Sequence, residues 1–177
     1  MARDGRGHDE GARCAKKGAQ EEGIGPNPTD RGKGGTKRSL LTEGAGVPVG
    51  LAIAGANKND HTLMRETLTC LPVARPEPTE EAPQGLCLDK GYDYDSVRDL
   101  AAEFGFTLHL RTRGEEAQAI REEAGYRARR WVVERTHSWM NRFRRILIRW
   151  EKKAANYLGL LHLVCAYITY KRAGLLG

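Results

Sequence analysis

The sequence predicts an α/β or α+β layer structure built on one central sheet, and three observations carry that prediction. Two apolar runs joined by glycine-rich punctuation form a β-hairpin signal across residues 36–55. An apolar triplet, a capped helical stretch and a second apolar run then give strand, helix, strand between residues 86 and 112. From Glu115 onward the pattern turns helical to the end, making a helical C-terminal third. With 177 residues, 40% of them hydrophobic, the chain can form a single core that buries roughly 70% of its unfolded surface.

The elements follow in order. Residues 1–35 hold nine glycines and almost no bulky apolar side chain, so they read as a flexible, basic, Gly-rich arm ahead of a folded domain at 36–177. TKRSLLT (36–42), the turn EGAG (43–46) and VPVGLAIAG (47–55) make the hairpin. A short helix is predicted from Asp60 to Leu71, with apolar residues at 63, 64, 68 and 71 and Asp60 placed as its cap. The segment 72–84 holds four prolines interleaved with acids and reads as an exposed loop. Leu86-Cys87-Leu88 is a brief buried-type strand ending at Asp89, DYDSVRDLAAEFG a helix closing on Gly105, and FTLHLRT (106–112) the next strand. After a break at Gly125, a long helix is predicted from about Tyr126 to Phe143 and an apolar one from Asn156 to Tyr170.

Several classes are disfavoured at once. No run reaches the roughly 18 to 20 apolar residues of a membrane helix, and the N-terminus has no apolar signal region, which predicts a cytoplasmic chain without a membrane partner. Cys14, Cys70, Cys87 and Cys165 lack the spacing of a zinc knuckle. No GxSxG, P-loop, HExxH or GxGxxG motif occurs.

The charge is localised. The chain carries 29 Lys and Arg against 23 Asp and Glu, a net of +6. Tyr126 to Lys153 alone holds ten basic residues against Glu134 and Glu151, a net of +8, which leaves −2 on the rest of the chain. Such an imbalance points to a polyanion and to phosphate contact rather than to a solubilising surface. Trp131, Trp139, Phe143 and Trp150 interleave with the arginines; their spacing suits a helix stripe packed on the core, with stacking on bases as the other reading.

Two carboxylates stand out. Asp89 closes a short apolar strand, where α/β folds present ligand-binding groups, although a lone Asp there also suits a plain turn. Glu134 sits inside the most basic helix, on one face with Arg127, Arg130, Ser138, Asn141 and Arg145. It reads either as an acid neutralised by its neighbours or as a carboxylate presented within a phosphate-attracting surface. A divalent cation would explain the second reading, since Mg²⁺ is held by one or two carboxylates together with substrate phosphate. His109 and His137 read as ordinary surface or hydrogen-bonded histidines, with a catalytic role as the minor alternative. Lys16, Lys17, Lys33, Lys37 and Arg38 add basic character around the arm.

Three ordered blocks carry more than composition does: GPNPTDRGKGGTKRSLLTEGAGVPVGLAIAGANKND, LCLDKGYDYDSV and YRARRWVVERTHSWMNRFRRILIRWEKK. Together they resemble the catalytic domain of DDE-type bacterial insertion-sequence transposases, the insertion-sequence-five group, from about Gly25 to the C-terminus. The resemblance implies an RNase-H-like mixed sheet flanked by helices, in which Asp, Asp and Glu bind two divalent ions, Mg²⁺ or Mn²⁺ as its substitute. It places Asp89 as the second acid and Glu134 as the third. Tyr126, Arg130 and Glu134 match the family's Tyr-Arg-Glu signature, and Arg127, Arg135, Arg142, Arg145 and Arg149 are the accompanying DNA-binding residues. Asn141 stands where the family has a lysine. Asn57 and Asp60 match a supporting Asn-x-x-Asp element.

The first acid departs from the family pattern. Asp4 and Asp9 are the candidates, and neither follows an apolar strand, so the first strand of the fold is lacking or degenerate. The resemblance implies DNA strand cleavage and strand transfer in transposition, acting on element ends and target DNA as a homodimer, with an N-terminal partner fragment from a preceding frame as one source of what is missing. A nucleoid-associated cytoplasmic protein is expected. The alternative is a catalytically incomplete remnant that only binds DNA; a host RNase-H-like nuclease has no separate feature in its favour.

Overall fold

The computed structural model describes residues 23–111, 113–122 and 131–174. A two-residue strand β1 (Gly25–Pro26) pairs antiparallel with the start of β2 (Gly34–Thr42), at Gly25↔Gly35 and Pro26↔Gly34. Residues 25–35, which the composition assigned to the flexible arm, thus close a hairpin. Its turn is held by Asn27, whose Oδ1 accepts from Thr29 N at 3.1 Å and Thr29 Oγ1 at 2.8 Å. The chain then passes through left-handed Arg31 and Gly32, at φ 53° and 73°.

β2 runs antiparallel to β3 (Pro48–Gly55), from Thr36↔Gly55 to Leu41↔Gly50, with a register shift before Thr42↔Pro48. Their turn is organised by Glu43, whose carboxylate accepts from Ala45 N and Val47 N at 2.8 and 2.9 Å. Helix α1 (Asp60–Thr69) follows and buries Leu63, Met64, Thr67 and Leu68. Its N-cap is Asn59 rather than Asp60, and no side chain caps it. Asp60 is the first helical residue, where its charge still favours the positive end of the helix.

β4 (Gln84–Asp89), a single 3₁₀ turn (Lys90–Tyr92), α2 (Asp95–Glu103) and β5 (Phe106–Arg111) make one βαβ unit, with β4 and β5 parallel from Gln84↔Phe106 to Asp89↔Arg111. Gly105 supplies the left-handed residue, φ 69°, that lets α2 stop and reverse into β5. The helical third comprises α3 (Arg113–Glu122), α4 (Trp131–Asn141), α5 (Arg144–Leu147) and α6 (Ala154–Arg172). The long helix expected to reach Phe143 ends at Asn141, and the part expected before Trp131 lies outside the described residues.

The described strands form two sheets, β1-β2-β3 and β4-β5, instead of the one central sheet predicted. Each has its own core. Leu51 and Ile53 of β3 pack with Met140 of α4, Ile146 of α5 and Leu161 and Val164 of α6. Met64 and Leu68 of α1 pack with Leu86 of β4 and Val97 and Leu100 of α2. Tyr157 fastens the first core by donating from its buried hydroxyl to the Ile146 carbonyl at 3.0 Å. Among the described residues, no helix is long and apolar enough to cross a membrane.

Candidate metal and nucleic-acid site

A groove of about 690 Å³ runs between the two sheets and under α4. Asp89 reaches it from the C-terminal end of β4, Glu134 from α4 and Asp60 from the start of α1. The two acids singled out from the sequence, 45 positions apart, therefore line one cavity.

The sequence of α4 explains how Glu134 arrives there. Val132, Thr136 and Met140, four residues apart, form the buried stripe. Thr136, fully enclosed, donates its hydroxyl to the Gly46 carbonyl at 2.8 Å and so ties the helix to the β2–β3 turn. The neighbouring positions Val133, Glu134 and His137 are thereby turned to the groove.

The charges around the acids are mixed. Asp60 pairs with Lys37 at 3.2 Å, and Lys37 also donates to the Lys58 carbonyl at 2.7 Å. Tyr92, half-buried in the groove wall, has its phenol pushed up to about 12 by burial and by the negative charges of Asp60 and Asp89, so it stays a hydrogen-bond donor. His137 is pushed down to about 4 by burial and by the positive Arg38, so it is neutral at pH 7. Arg38 donates to Asn141 Oδ1 at 2.9 Å, while its Nη1 is buried with no hydrogen-bond partner among the described residues. Residue-type reasoning passed over Tyr92 and grouped Arg38 with the arm, because nothing local to either marks it as a groove residue.

The arginines divide in two. Arg142 and Arg145 are exposed, as is Arg144; Arg145 pairs with Glu151 at 2.8 Å on a side chain that is still 71% exposed. Arg149 and Arg135 are engaged within the protein. Arg149 turns inward and donates to the carbonyls of Gly23, Glu151 and Lys152 and to Thr36 Oγ1. Arg135 donates to the Ala45 carbonyl at 2.7 Å and lies over the rings of Trp131 and Trp139. Asn141 likewise is occupied by Arg38. Of the aromatics, Trp139 and Phe143 pack against the first core, whereas Trp150 is 71% exposed. Asn57 lies against Gly25, leaving no room there for a Cβ, and is not part of the groove. His109 is exposed on β5 and does not line the groove. Tyr126, Arg127, Arg130, Asp4 and Asp9 lie outside the described residues.

Among the described residues no group of three His, Cys, Asp or Glu side chains is close enough to hold a metal ion. Asp89 and Glu134, hard oxygen donors on one groove, fit the donor set of a single Mg²⁺-type ion whose other ligands are water and substrate phosphate. Asp60, the other acid named on the groove, is paired with Lys37 and does not complete a three-ligand group among the described residues.

Comparison with known proteins bears on the same chain. A protein-family model described as "Transposase DDE domain" matches residues 6–169. A Burkholderia cepacia protein named "Putative transposase for insertion sequence element IS402" is 34% identical over 150 residues, covering 83% of this chain and 68% of that protein. No solved structure gives a significant match.

Proposed function

Because the chain belongs to the family of transposase DDE domains, we propose that it cuts DNA strands at the ends of an insertion element and joins them to target DNA, using Asp89 and Glu134 to hold a divalent cation. The observation that supports this reading best is the shared groove. Two carboxylates from separate elements line it, and an exposed run of arginines follows α4.

A bound Mg²⁺ or Mn²⁺ would acidify a water for attack on phosphate and neutralise charge on the departing oxygen. The chain's own residues do the rest. Asp89 and Glu134 would hold the cation from a strand end and from a helix anchored by Thr136, elements that leave the two ligands little freedom to part. Arg142, Arg144 and Arg145 bind the DNA backbone and fix its register, which carries no base specificity. Tyr92 offers a protonated hydroxyl beside the acids, suited to donating to a phosphate oxygen. Handling paired element ends calls for two copies of the chain.

The test is nicking of supercoiled plasmid in Mg²⁺ or Mn²⁺ by the native chain, Asp89→Asn and Glu134→Gln, with circular dichroism to verify folding. Nicking by the native chain that each substitution lowers at least 100-fold supports the reading. Retained nicking in either variant overturns the assignment of that residue. Inactivity of all three, with DNA binding kept, overturns cleavage by this chain and leaves a DNA-binding remnant.

A further inference from the structure

The alternation of β2 puts a charged residue where an apolar one belongs. Successive side chains of a strand point to opposite faces. Leu40 packs against the first core and Leu41 against the second, so Arg38 shares its face with Leu40 and runs toward α4. A cation on a core-facing position costs desolvation unless a partner offsets it, and chains break their own pattern in this way where function uses the residue.

The partner that Arg38 has in the protein offsets only part of that cost. Arg38 Nη2 donates to Asn141 Oδ1 at 2.9 Å, and Asn141 carries no charge. Nη1 is buried and has no hydrogen-bond partner among the described residues. The other arginine lining the groove, Arg75, is already engaged: it donates to the Phe104 carbonyl and lies over the Phe106 ring at 3.9 Å. His137, also on the groove wall and close enough to feel the Arg38 charge, is neutral at pH 7. Alongside its carboxylates the groove thus carries a guanidinium with its full charge and an unmet donor, the complement of an oxyanion.

We propose that Arg38 is a phosphate-binding residue, which takes an oxygen of the DNA backbone through Nη1 while Asn141 holds its guanidinium in place. The assignment rests on the reading of the chain as one that acts on DNA, and it names a contact separate from the exposed Arg142, Arg144 and Arg145. Asn141 is the last residue of α4 and lies two turns beyond Glu134, about 10 Å along the helix axis. The phosphate on Arg38 is therefore a neighbour of the one at the cation and not the same one. Held there, it fixes the position of the strand against Asp89 and Glu134 and carries no base preference.

Anisotropy of a short fluorescent DNA duplex, titrated in EDTA across a salt series, tests this with cleavage switched off. The outcome holds whether or not the chain nicks DNA, so it stands apart from that of the nicking assay. Arg38→Met should lower affinity about tenfold at low salt and make the dependence of log affinity on log salt shallower by about 0.9. Arg38→Lys, which keeps the charge but lacks the second arm of the fork, should keep the slope and lose affinity severalfold. Arg75→Met, which removes a cation already engaged, should leave the slope unchanged. Melting temperature separates binding from folding: Arg38→Met deletes a buried donor that has no partner, so it should melt no lower than the native chain. An unchanged slope in Arg38→Met overturns the proposal. A melting temperature lowered by about 5 °C or more also overturns it, by showing that the guanidinium serves the fold. Inorganic phosphate is the second probe. Thermal protection of the native chain by it, absent in Arg38→Met and joined to an unchanged DNA slope, would mean a site for the free anion and overturn the assignment to DNA.

Discussion

His137 is the residue whose chemistry the fold alters most plainly. Burial and the Arg38 charge hold its pKa near 4, against 6.5 for an ordinary histidine. The folded chain therefore binds this proton less readily than the unfolded one, so the contribution is complete above pH 6.5 and is lost as pH falls from 6.5 towards 4. A difference of that size corresponds to at most about 3 kcal/mol. Urea unfolding at pH 7 and pH 4.5 should show this loss in the native chain and much less of it in His137→Gln; equal losses in both would place the acid sensitivity elsewhere. The same scale separates arginines that look alike on paper. Arg149 donates to Gly23, Thr36, Glu151 and Lys152 and Arg142 projects outward, yet both lie in one basic run.

At the scale of elements, the β2–β3 turn and α4 form one unit. Glu43 closes the turn, Gly46 takes φ 88°, and Thr136 and Arg135 of α4 reach the carbonyls of Gly46 and Ala45. A Cβ on Gly46 would stand 2.9 Å from Arg135 Nη2 and 3.1 Å from Thr136 Oγ1, in a backbone conformation that side chains resist. Gly46→Ala should therefore destabilise the chain by about 1–3 kcal/mol, and it should lower cation-dependent activity further because Glu134 rides on the same helix. A melting temperature unchanged from the native chain would show that the turn is not what fixes α4. These elements were legible in advance: the hairpin, the βαβ unit and the apolar C-terminal helix each carry a local period. The end of α4 at Asn141 was not, because Arg142 and Phe143 continue the helical pattern while the chain turns to dock Ile146 in the core.

For the molecule as a whole, the excess positive charge is the property that reaches furthest. Arg142, Arg144 and Arg145 together, replaced by Gln, should make the dependence of log affinity on log salt shallower by about 2 to 3 for a DNA duplex, since each lost phosphate contact removes about 0.9 from the slope. Fluorescence anisotropy across a salt series would measure it. An unchanged slope would mean that phosphate is bound by another surface.

The sequence by itself determined the family, the location of the positive charge and the order of most strands and helices, and it singled out Asp89 and Glu134 as the acids of interest. These are properties of short windows or of ordered motifs, and they survive without knowledge of contacts. Tertiary structure alone decided that Asp60, Tyr92 and Arg38 share the groove with those acids and that Arg135, Asn141 and Arg149 are turned inward. It also decided that the described strands form two sheets. The reason is physical: a long side chain's direction, and the meeting of groups tens of residues apart, are set by which surfaces pack. Packing is a property of the whole chain, which no local pattern contains.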